Sequence, residues 1–77
     1  MNWFTTVTYG PTGFSQTYYR YIAVHSHPLA NAFQQAALAD ARTRINANLP
    51  RGTVYNPLAL SATAPTTVGN PAFARNI

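Results

Sequence analysis

The stretch from Ser26 to Pro50, SHPLANAFQQAALADARTRINANLP, constrains the fold most, because it alone is long and periodic enough to specify a helix. Leu29, Phe33, Ala37, Ala41 and Ile45 recur every four residues, and Ala30, Leu38 and Leu49 widen this stripe to one side. Ser26 is suited to cap the first turn, and Pro28 sits where a missing N–H does no harm. Alanine fills the middle and favours helix. Pro50 stops it, because the residue before a proline is pushed out of the helical region. The spacing predicts one amphipathic helix over about 28–47, roughly 30 Å long at about 1.5 Å per residue.

Before the helix the period changes from four to two. In residues 2–9, NWFTTVTY, one face carries Trp3, Thr5, Val7 and Tyr9 and the other Phe4, Thr6 and Thr8. Gly10-Pro11-Thr12-Gly13 is a turn cluster. A second strand is expected from Phe14 to about His25, with Phe14, Tyr18, Arg20, Ile22 and Val24 on one face and Tyr19, Tyr21 and Ala23 on the other. A lone two-stranded hairpin is hardly stable, and one helix shields one face of it. The other face is expected to meet a neighbour.

From Pro50 onward the composition shifts to small, polar and proline residues. Thr53-Val54-Tyr55-Asn56-Pro57-Leu58-Ala59-Leu60 recurs as Thr67-Val68-Gly69-Asn70-Pro71-Ala72-Phe73-Ala74. Each copy reads as an extended piece, an Asn-Pro turn and an apolar tip. The expected fold is therefore α+β: an N-terminal β-hairpin, one long amphipathic helix, and an extended Pro-rich C-terminal arm. Residues 1–50 form the hairpin-plus-helix unit, and residues 51–77 the interaction arm.

Charge is the scarcest resource in this chain. Charged residues make up 8% of its 77 positions, against a typical 25% or so, while 47% are hydrophobic and 13% aromatic. It has no lysine, glutamate or cysteine; its charges are five arginines and Asp40, a formal net charge of +4. Disulfides are thus excluded. A short chain with so little charge cannot coat itself for solubility, which predicts a surface covered by other chains. Arginine without lysine suits interfaces, since guanidinium is weakly hydrated. No secretory signal or membrane-length apolar run is visible.

This residue inventory leaves little for catalysis. A glycosidase needs two carboxylates and only one carboxylate side chain exists; no glycine-rich phosphate loop or nucleophile elbow appears. His25-Ser26-His27-Pro28 resembles the zinc-binding core of JAMM metalloproteases. That family continues with a serine and an aspartate where Gln35 and Leu38 stand here, and its glutamate base has no counterpart. A zinc-binding fragment around His25 and His27 is the remote alternative. The reading adopted is a strand end followed by a helix cap, with no catalytic residue, no metal ligand and no cofactor.

Arginine and aromatic residues carry the remaining signals. Arg20 lies within Tyr18-Tyr19-Arg20-Tyr21, a pattern suited to stacking on bases, while Arg42 and Arg44 sit near the helix C-terminus. Asp40 and Arg44 are spaced as an i,i+4 pair. Tyr19-Arg20-Tyr21-Ile22-Ala23-Val24, Pro28-Leu29 and Asp40-Ala41-Arg42-Thr43-Arg44-Ile45 together resemble the central stretch of tobamovirus coat proteins. There a strand leads into a radial helix whose final arginines face RNA. The resemblance covers residues 19–45, needs short gaps, and implies phosphate contacts at Arg42 and Arg44.

These observations converge on a non-enzymatic structural subunit or cement protein of a large assembly, a virion capsid or a filament. Its partners are other protein subunits, either itself or a larger coat protein, in a virion or cytoplasmic assembly. The expected interface residues are Trp3, Phe4, Tyr19, Tyr21, Tyr55, Leu58, Leu60 and Phe73. The alternative is a small RNA- or DNA-binding protein using Arg20, Arg42 and Arg44.

Overall fold

The computed structural model of the chain describes residues 1–67 and 73–77. Two strands, β1 (Asn2–Tyr9) and β2 (Phe14–Tyr21), form an antiparallel hairpin in full register, from Asn2 opposite Tyr21 to Tyr9 opposite Phe14. Gly13 closes the 3-10 turn Gly10–Thr12 at φ 71°, a left-handed conformation that glycine adopts without cost. β2 ends at Tyr21, four residues short of the expected His25. The pairing still extends one step, because Met1 and Ile22 exchange main-chain bonds of 2.8 and 2.9 Å.

The helix α1 spans His27–Asn48, 22 residues. Ser26 is extended, and its hydroxyl accepts from the Leu29 N–H at 3.3 Å. Leu49 leaves the helix at ψ 137°, as the following proline demands. The buried row is Ala30, Phe33, Ala37, Ala41 and Ile45. Leu29, expected in that row, is 48% exposed. A row kept at strict spacing of four drifts about 40° per step on a 3.6-residue helix, so a step of three at Ala30 re-centres it. Alanine at three of these positions brings the helix close against Trp3, Val7, Tyr18 and Ile22.

Residues after the helix return to the same sheet. β3 (Leu60–Ala62) pairs antiparallel with β1, and β4 (Arg75–Asn76) pairs parallel with β2. The sheet order is β3-β1-β2-β4. The hairpin is therefore flanked on both edges by residues that sequence assigned to a detached arm. Asn56 caps the short turn Pro57–Ala59 with its side chain, accepting from the Leu58 N–H at 3.1 Å, as the Asn-Pro reading expects. The second Asn-Pro copy, at 70–71, lies outside the described residues. Among the described residues, no helix is long and apolar enough to cross a membrane.

Phe33 is fully buried within the core cluster, whereas Leu29 is half out. Phe33→Ala is expected to cost about 3–5 kcal/mol, which would leave so short a chain largely unfolded. Leu29→Ala should stay within about 0.5 kcal/mol. Urea unfolding followed by Trp3 fluorescence measures both.

Candidate functional site

Most of the chain's charges meet at one seam, where α1 crosses β2 and β4. Tyr18, Gln16 and Arg20 share the helix-covered face of β2, since alternate residues of a strand point the same way. Arg20 donates from Nε to the Ile77 main-chain oxygen at 2.6 Å and lies 5.7 Å over the Phe33 ring. Arg44 donates to Gln16 Oε1 at 3.1 Å and lies 5.9 Å over the Phe14 ring. Asp40 pairs with Arg75 at 3.3 Å, not with Arg44 as its i,i+4 spacing predicts. The helix turns Arg44 toward Gln16, and β4 brings Arg75 across to the carboxylate.

Tyr18 lies at the centre of this seam, fully buried. Its hydroxyl has no well-aligned hydrogen bond, yet the Asp40 carboxylate and Arg44 guanidinium both lie near enough to act on it. Burial pushes the phenol up to about 12, Asp40 pushes it the same way, and Arg44 pulls against them.

Of the three arginines expected to contact nucleic acid, Arg20 and Arg44 are committed to this seam. Arg42 is exposed on another side of the helix. Residues two apart on a helix do not share a face, so the three do not form one basic surface. Arg42 and Arg51 are exposed and make no ion pair or hydrogen bond with the described residues.

The expected interface residues scatter in the same way. Trp3 is in the core, with the rings of His25 and His27 at 5.0 and 6.3 Å. Those histidine rings are 5.2 Å apart, and among the described residues no third His, Cys, Asp or Glu joins them. Phe4 and Tyr19 face each other, half-buried, on the sheet surface away from α1, and Tyr21 is exposed at its end. Leu60 packs on the chain's own core. Tyr55 stacks on Tyr9 at 5.4 Å, and the Tyr9 hydroxyl accepts from the Asn56 N–H at 2.9 Å.

Two expected residues, Leu58 and Phe73, stand free at 92% and 98% exposure, joined by Val54 at 84%. Tyr9 holds residues 55–56 at the hairpin-turn end, and Gln16 holds the Phe73 main-chain oxygen at 3.2 Å near that end. A cavity of about 310 Å³ opens there, lined by Thr12, Gly13, Phe14, Arg44, Ile45 and Asn48. Sequence reading missed Gln16 and this cavity. Gln16 shares strand parity with Tyr18 and Arg20, the one signal that it faces the helix.

Comparison of the chain with protein-family models, curated proteins and solved structures finds no match.

The raised Tyr18 pKa carries a stability consequence. An unfolded tyrosine loses its proton near pH 10.0, whereas the folded one holds it to about 12. Between those values the unfolded state binds fewer protons, so stability falls as pH rises. Below pH 10 the contribution is fully present. Denaturant midpoints from pH 9 to 12 are expected to show this decline in the wild type and a shallower one in Tyr18→Phe.

Proposed function

We propose that the chain is a non-enzymatic structural subunit or cement protein of a larger protein assembly, of the virion capsid or filament kind. The observation that carries this reading is how the chain distributes its surface. Four of its six charged side chains, Arg20, Arg44, Arg75 and Asp40, serve internal contacts, while Val54, Leu58 and Phe73 stand almost wholly in solvent. A soluble chain living alone does the reverse. Large apolar groups left this exposed on a weakly charged molecule mark a protein contact.

The C-terminal residues then act as an interaction arm at their tips only. Residues 60–62 and 75–76 are spent on the chain's own sheet, Tyr9 holds residues 55–56, and Val54, Leu58 and Phe73 remain to reach a neighbour. The resemblance of residues 19–45 to tobamovirus coat proteins leads to the same class and to a place within a virion or cytoplasmic assembly. The nucleic-acid reading is weaker. Arg20 and Arg44 reach a phosphate only by giving up Ile77 and Gln16, which leaves Arg42 and Arg51 as the cations without a partner among the described residues.

Cross-linking in cells that produce the chain, followed by mass spectrometry, tests the proposal. Protein adducts at residues 54–58 or 73 that survive nuclease are expected. Adducts lost on nuclease treatment, or recovery of uncross-linked 8.4 kDa chain alone, would contradict it.

A further inference from the structure

We infer that the partner at the hairpin-turn end is a second copy of this chain, held by reciprocal insertion of Phe73 into the cavity beside Phe14. The inference rests on the assembly reading and supplies its partner.

Three observations carry it. Phe73 is the most exposed large apolar residue described, and its φ of 61° is left-handed, a region that bulky side chains seldom occupy. The backbone thus holds a phenyl ring outward, away from the core that would otherwise take it. The cavity offers a matching receptor: the Phe14 ring and Ile45 give apolar walls, and Arg44 gives a cation for an aromatic face. At about 310 Å³ it sits at the low end for a small-molecule site and is ample for one ring.

Gln16 decides the symmetry. Its Nε2 donates to the Phe73 oxygen at 3.2 Å and its Oε1 accepts from Arg44 at 3.1 Å, so knob and hole are one side chain apart. A patch that carries both a knob and its hole is self-complementary, which is the requirement of a two-fold interface. A head-to-tail filament contact needs them at opposite ends. Here two copies meet at this patch, each Phe73 entering the other's cavity.

One ring and one small cavity per copy offer little apolar surface beside the roughly 1,000 Å² or more of a self-sufficient interface. The dimer is accordingly weak, and suited to reinforcement within a larger particle.

Sedimentation velocity of the purified full chain from micromolar to millimolar concentration tests the inference, with circular dichroism as a check on folding. A reversible monomer–dimer equilibrium is expected. Phe73→Ser, at a position with no core contact, should weaken it by about 100-fold or more, because each dimer loses two rings. Asn48→Phe, which fills the cavity mouth, should weaken it similarly. Mixing the two variants should restore part of the association, since one knob still meets one open hole. Leu29→Ser, outside the patch, should leave the equilibrium unchanged.

A wild type that stays monomeric throughout would overturn the inference, as would a Phe73→Ser chain that dimerises normally. If the monomeric chain still gives nuclease-resistant protein adducts in cells, self-pairing alone fails and the assembly reading stands. If the dimer forms as described but cells yield no protein adducts, the reverse holds. Should Asn48→Phe fail to fold, Phe73→Ser decides the matter alone.

Discussion

Thr5 sits in the middle of the helix-covered face, fully buried, directly across the hairpin from Tyr18. A hydroxyl in that position must find an acceptor, because a buried donor left unpaired costs about 1–3 kcal/mol. The acceptor is the carbonyl of Thr63, at 2.7 Å, just beyond β3. That carbonyl also accepts from Gln34 on the helix at 2.9 Å. Thr63 in turn donates its N–H to the Thr6 oxygen and accepts the Thr6 N–H on its own hydroxyl. One residue outside the regular strands thus ties β1, β3 and α1 together. The return of the chain after the helix is what makes a hydroxyl tolerable in the core.

The same economy governs the charges. The chain has a single carboxylate side chain, and Asp40 gives it to Arg75 across elements. Half-exposed as it is, the pair itself contributes under about 1 kcal/mol. Its value is positional: with Arg20 on the Ile77 oxygen and Gln16 on the Phe73 oxygen, it fixes the second sheet edge. Each arginine drawn inward leaves less charge outside, where Val54, Leu58 and Phe73 stand exposed.

Local signals were legible and long-range ones were not. The hairpin's two faces, the Ser26 cap and the stop at Pro50 all appear in the residues that cause them. Ala30 belongs to the buried stripe as its position suggests, whereas Leu29, at the start of the same stripe, does not, because periodicity alone does not fix where a drifting stripe re-centres. β3 and β4, three and two residues long, are too short to show a period, and prolines on either side of β3 disguised it as arm. Asp40 and Arg44 satisfy a helix rule that loses to a partner 35 residues away. Trp3, expected at an interface, lies in the core because its strand face is the one the helix covers, whereas Leu58 and Phe73 are apolar groups without a core of their own.

Residues after the helix belong to this chain's own sheet. Native-state hydrogen exchange on dilute, monomeric protein tests it most directly, at the amides of Thr63, Thr66 and Ile77. These donate to the main-chain oxygens of Thr6, Phe4 and Tyr19 at 3.0, 3.1 and 3.1 Å. The account predicts that they exchange with protection close to that of the β1 and β2 amides. Exchange at free-peptide rates, while the hairpin stays protected, would show a detached arm and contradict it.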